Sequence, residues 1–143
     1  VTIAEIDNVE IALGTNYDIS LAQGGTYNLI LNAVSGETSD TEVPFPLTGY
    51  RAHLQIRKRA GTSGTPLVDC TSAGDDPDLL IEPNDEHGNP QIGRIEIRIP
   101  ANKTVVLTKN CAYDIFIIDE SDATQAVRLL HGVVNVSRSV TVN

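Results

Sequence analysis

Two segments of strict alternation constrain this chain more than any other feature. Tyr50-Arg-Ala-His-Leu-Gln-Ile-Arg57 and Arg94-Ile-Glu-Ile-Arg-Ile99 place apolar residues at every second position, with charged or polar ones between. Extended backbone turns successive side chains to opposite faces, so each segment makes a strand with one apolar and one solvated face. No long amphipathic helix is present to cover those apolar faces. A second sheet of the same kind is the economical cover. The expected fold class is therefore all-β: an immunoglobulin-like antiparallel β-sandwich of about seven to nine strands.

The remaining segments fit that frame. Tyr17-Asp-Ile-Ser-Leu21 alternates and stops at Gln23-Gly-Gly25, and Thr26–Ala33 puts Tyr27, Leu29, Leu31 and Ala33 on one face. Pro44-Phe-Pro46 is excluded from a central strand, because proline has no amide hydrogen to give a ladder. Ala60–Pro66 reads as a hairpin loop returning through Leu67-Val-Asp-Cys70. Leu79-Leu-Ile81 is a short strand within an acidic, turn-rich stretch from Asp75 to Asn89. Pro100–Leu107 is expected to hold one short helical turn, with Val105, Val106 or Leu107 plugging an end of the sandwich. Tyr113–Asp119 is apolar on both faces and is the expected central strand, with Val127–Val136 pairing back onto it. Residues 1–14 are an N-terminal arm or an edge strand, and 15–143 a single β-sandwich domain.

Composition narrows the function. The chain of 143 residues carries a formal net charge of −9. Nucleic-acid binding needs a basic footprint that displaces counterions from phosphates, so no nucleic-acid partner is expected. No apolar run approaches the roughly 18 residues of a membrane helix, and no membrane partner is expected. Val1–Asp7 lacks a basic patch followed by an apolar stretch and is not read as a secretion signal. Val1 is a residue that initiator-methionine removal exposes, so the chain is expected to be close to a complete gene product. Cys70 and Cys111 are far apart, without metal-ligand spacing, and read as small buried hydrophobes; a disulfide is the alternative.

Several segments, taken in order, resemble a small β-sandwich domain of tailed-bacteriophage structural proteins. It also occurs at the N-terminus of baseplate and receptor-binding tail proteins, where it attaches them to the particle. The segments are Tyr17–Tyr27, Leu47–Arg57, Gly93–Pro100, the Thr104/Leu107 pair, Tyr113-Asp-Ile115 and Arg128–Val136. Together they span most of the chain. The acidic Asp75–Asn89 stretch is longer than the compact connection expected there, and no fibre portion follows the sandwich. The resemblance implies a virion component, made in the host cytoplasm, without enzymatic activity or cofactor. Its partners would be other virion proteins and copies of itself in a symmetric particle. It would act as a tail, baseplate or fibre-attachment module; the alternatives are a capsid decoration protein, or a carbohydrate- or receptor-binding module.

Four candidate sites stand against plainer readings. His53, His87 and His131 show no spacing that ties them together, and three surface histidines are expected. Asp85, Glu86 and Asn89 collect oxygen atoms that calcium would accept, but they lack the full loop pattern; a solvated acidic loop is the expected reading and a calcium site the lesser alternative. Arg51, Arg57, Arg94 and Arg98 would form a positive docking patch if their two strands share a sheet; the plain alternative is surface pairing with Glu96 and its neighbours. Ile3, Ile6, Val9 and Ile11 belong either to a strand of the sandwich or to an arm that adds to a neighbour's sheet edge.

Overall fold

The computed structural model describes residues 6–12, 14–35 and 43–140. In chain order the strands are β1 (Ile6–Ala12), β2 (Thr15–Asn16), β3 (Ile19–Ala22), β4 (Tyr27–Ser35), β5 (Val43–Pro44), β6 (Tyr50–Arg57), β7 (Val68–Thr71), β8 (Leu79–Ile81), β9 (Arg94–Ile99), β10 (Cys111–Asp119) and β11 (Ala126–Ser137). A single helical turn, α1 (Ala101–Thr104), separates β9 from β10. One sheet has the order β1-β4-β9-β8, with β5 also on β4; the other runs β2-β11-β10-β6-β7, with β3 also on β11. The chain is thus an all-β sandwich with one short helix.

Alternation decides which side chains lie between the layers. Leu29, Leu31, Ile95, Ile97 and Ile99 come from the first sheet, and Leu54, Ile56, Ile115 and Ile117 from the second; each is at most 2% exposed. Leu107 plugs one end as expected, whereas Val105 and Val106 face solvent at about half exposure. Both cysteines are buried and free. Burial pushes the Cys70 thiol up to about 12. Pro44 lies on a two-residue strand at the sheet margin, where its missing amide hydrogen costs little.

The described strands number eleven because two of them have only two residues, and not every ladder is antiparallel. β1 runs parallel to β4, and β2 and β3 run parallel to β11. The chain ascends the first sheet in β1, reverses near Gly14 (φ 79°) and descends the second as β2 and β3. Residues 6–12 therefore take the edge-strand alternative in this chain's own sheet. Ile3 lies outside the described residues.

Two close approaches fix the register of these outer strands. Gly132, in β11, faces the Tyr17 carbonyl so closely that an added Cβ would collide with it and sit 2.8 Å from Asp18 Oδ1. That approach lets Asp18 Oδ1 accept the Val133 amide hydrogen at 2.9 Å. The Tyr113 hydroxyl, reaching from β10, donates to the same Tyr17 carbonyl. At the other end of the strands Glu82 accepts the amide hydrogens of Leu47 at 3.0 Å and Gly93 at 2.8 Å, and the Thr48 hydroxyl at 2.8 Å. Burial opposes its charge, but those three donors outweigh it and hold the Glu82 carboxyl below its ordinary value.

Gly132→Ala should destabilise the fold by about 1–3 kcal/mol through overpacking. Tyr113→Phe should cost about 1 kcal/mol for one lost hydrogen bond. Both are measured by urea denaturation. Because the folded pKa of Glu82 is depressed, its stabilisation is full above the unfolded value near 4.5 and is lost as pH falls through the lower folded value. Glu82→Ala should therefore lower stability at neutral pH by about 1–3 kcal/mol and flatten the acid-induced fall in melting temperature.

Candidate functional site

A groove of about 690 Å³ lies on the outer face of the second sheet. Its floor is the outward side of β10: Ala112, Asp114, Phe116 and Ile118, all half-buried. One wall is β6 and the hairpin loop beyond it, carrying His53, Gln55, Arg57 and Arg59. The opposite wall is β11 with β2, carrying Arg128, His131, Val133 and Asn16. The register sets Phe116 between His53 and Arg128, and Asp114 between Gln55 and His131.

A bulge builds the second wall. Pairing shifts between Ile115 and Phe116, so that Ile115 faces Leu130 while Phe116 faces Arg128. Leu129, left over by the shift, is as fully buried as Leu130. Arg128 and His131 are three residues apart, and strict alternation would send them to opposite faces. The extra residue restores both to the groove.

The β6 wall is ordered by its own polar contacts. Arg57 donates to the Gly64 carbonyl at 2.5 Å and to Gln55 Oε1 at 3.1 Å. Gln55 Nε2 lies 3.4 Å from His53 Nε2, which also meets the Asp69 carboxylate on β7. Arg57 is thus partly held by the loop it supports. Arg59, Arg128, Asp114 and His131 make no side-chain hydrogen bond or ion pair among the described residues. His53 and Asp69 orient one another, and among the described residues no hydroxyl or thiol is hydrogen-bonded to His53.

The structure separates the arginines that alternation grouped. Arg51 and Arg57 belong to β6 in one sheet, and Arg94 and Arg98 to β9 in the other, so their outward faces point away from each other. The common patch conditional on a shared sheet does not form. Arg94 instead pairs with Glu96 at 2.9 Å on its own strand, while Arg51 and Arg98 are exposed. Ile6, Val9 and Ile11 belong to β1.

Asp85, Glu86 and Asn89 lie in the exposed 82–93 loop. Asp85 Oδ1 accepts the amide hydrogens of His87 at 2.8 Å and Asn89 at 3.0 Å, which commits that oxygen to shaping the turn. No group of three or more His, Cys, Asp or Glu residues suited to a metal occurs among the described residues. His87 lies in this loop, away from the other histidines. His131 is inside the continuous strand β11 and shares the groove with His53. Sequence reasoning missed that pairing, along with Arg128 and Phe116. The adjacent Leu129-Leu130 pair, which breaks alternation, is the signal that would have found it.

No protein-family model matches the chain, and no curated protein is significantly similar to it.

Arg59→Ala and Arg128→Ala should each change stability by less than about 0.5 kcal/mol, since neither side chain holds a hydrogen-bond or ion partner among the described residues. Urea denaturation checks this; a large loss at either position would make that arginine a structural element rather than a free contact group.

Proposed function

We propose that the chain is a non-enzymatic structural module of a tailed-bacteriophage particle, of the tail, baseplate or fibre-attachment kind, working through protein–protein contacts. The observation that carries this reading is the groove. Phe116 and Ile118 lie on its floor beside Ala112 and Asp114, and Arg59 and Arg128 flank it without side-chain partners among the described residues; an aromatic residue beside arginines is the composition of a protein-docking surface. An aromatic residue supplies buried area, and arginine supplies directed hydrogen bonds to a carboxylate or carbonyl.

The resemblance to phage structural domains adds the context of a virion. The segments behind it coincide with fold-forming contacts: Gly132 against Tyr17, the Tyr113 hydroxyl on the Tyr17 carbonyl, and the buried Thr104 hydroxyl donating to the Gly25 carbonyl at 2.7 Å. Those positions speak for a shared scaffold, while the groove speaks for its use.

The test is incorporation. Particles grown with a Phe116→Arg, Arg128→Glu copy should lack the protein by mass spectrometry, while the isolated variant keeps the wild-type circular dichroism spectrum and melting temperature. Absence of the wild-type chain from purified particles would overturn the virion reading. Normal incorporation of the variant would overturn the role of the groove.

A further inference from the structure

We propose that β1 is an interface strand, pairing antiparallel with β1 of a second copy about a two-fold axis at Val9 and joining the first sheets of two chains into one. This surface is separate from the groove and does not depend on it. β1 (Ile6–Ala12) is the terminal strand of its sheet, and its one ladder among the described residues is the parallel one with β4. Alternate residues of such a strand turn their N–H and C=O groups away from the ladder, which leaves a row of donors and acceptors open. The other described edges are blunted. β8 has three residues, β2 has two, and Tyr17 and Asp18 separate β2 from β3. β7 has four, and Lys103 takes up its Asp69 carbonyl at 3.0 Å. β1 is seven residues long and carries no proline, lysine or arginine. It is the edge with the longest open row, and it lacks the lysines and prolines that keep other strands away.

The order of residues in the strand names the occupant. In an antiparallel pair, residues opposite one another lie on the same side of the sheet, so a two-fold axis between identical strands must pass through a residue. Centred on Val9, all seven residues find partners: Ile6 opposite Ala12, Asp7 opposite Ile11, Asn8 opposite Glu10 and Val9 opposite itself. No acidic residue then faces another directly. Centring on Glu10 would set two carboxylates face to face, and centring on Asn8 would leave Ile11 and Ala12 outside the pairing within the strand. Register with β4 puts Val9 and Ile11 on the face of Leu31 and Ala33, which line the core, so the pairing carries the inner face of one sheet into that of the next. The contact is isologous and closes at two copies. The two Glu10 residues are diagonal neighbours across the axis, and each chain carries a net charge of −9, so like charge opposes the dimer and salt strengthens it.

Sedimentation velocity of the full chain tests the proposal, at up to about 1 mM so that even a millimolar contact is half formed. The wild type should show a monomer–dimer equilibrium with nothing larger, tightening roughly threefold or more between about 0.05 and 0.5 M salt. Asn8→Lys sets a lysine opposite the partner's Glu10 twice per dimer and should tighten the dimer roughly threefold or more. Asn8→Lys with Glu10→Lys sets lysine opposite lysine at both places and should be monomeric, although it brings the net charge closer to zero. The groove variant Phe116→Arg, Arg128→Glu should dimerise as the wild type does, so that the dimer and incorporation into particles are read separately. Circular dichroism and melting curves confirm that each variant is folded. A wild type monomeric throughout, a double lysine variant that still dimerises, or an Asn8→Lys variant that weakens the dimer would each overturn β1 as a two-fold interface. Loss of the dimer in the groove variant would move the contact to the groove and overturn it as well.

Discussion

The aliphatic layer between the two sheets is the constraint on which the rest depends. A Leu or Ile fully removed from water contributes about 1.5–3 kcal/mol, whereas an exposed ion pair contributes about 0–1. The described core holds more than a dozen Leu and Ile side chains at or below 2% exposure. The surface pairs Arg94–Glu96 and His53–Asp69 are minor beside it. Because strand side chains alternate, burying Leu54 and Ile56 obliges His53, Gln55 and Arg57 to face outward. Burying Ile115 and Ile117 likewise obliges Phe116 and Ile118 to form an outer floor. The groove is thus the other side of the core and inherits its rigidity.

Where alternation alone would misplace a residue, local devices intervene. The bulge opposite Ile115 and Phe116 absorbs Leu129 into the core and keeps Arg128 and His131 on one surface. The absent side chain at Gly132 allows the Tyr17–Asp18 segment to close on β11, with the Tyr113 hydroxyl as its anchor. Lys103 secures the helical turn by donating to the Asp69 carbonyl at 3.0 Å and pairing with Asp78. Favourable hydrogen bonding to Asp78 overcomes the burial that would otherwise lower its pKa, and the ammonium is held above its ordinary value. The inner faces are fixed by packing, and the ends by hydrogen bonds.

The layers were legible in the chain because period-two alternation is a local property. Tyr27, Leu29, Leu31 and Ala33 are buried as their spacing predicts, and so are Ala52, Leu54 and Ile56. The short strand at Leu79–Ile81 and the helical turn after Pro100 are local signals too, although the turn covers only Ala101–Thr104. Which strands become neighbours is a long-range property, and alternation leaves it open. Two similar arginine-rich strands, β6 and β9, went to different sheets, and no local pattern separates them. The parallel course of β1, β2 and β3 depends on a reversal near Gly14 that a single glycine does not announce. The groove was hidden for the same reason: its residues, from Asn16 to Val133, are up to 117 positions apart and meet across β10.

The two buried thiols bear on where such a chain is able to fold. Cys70 sits in β7 and Cys111 at the start of β10, and neither is bonded. Closure of the sandwich therefore waits on no oxidising enzyme, and a change of redox environment leaves no crosslink to be cut. Whatever robustness the molecule has must come from shape-matched hydrocarbon, which holds equally well in a reducing interior and in air.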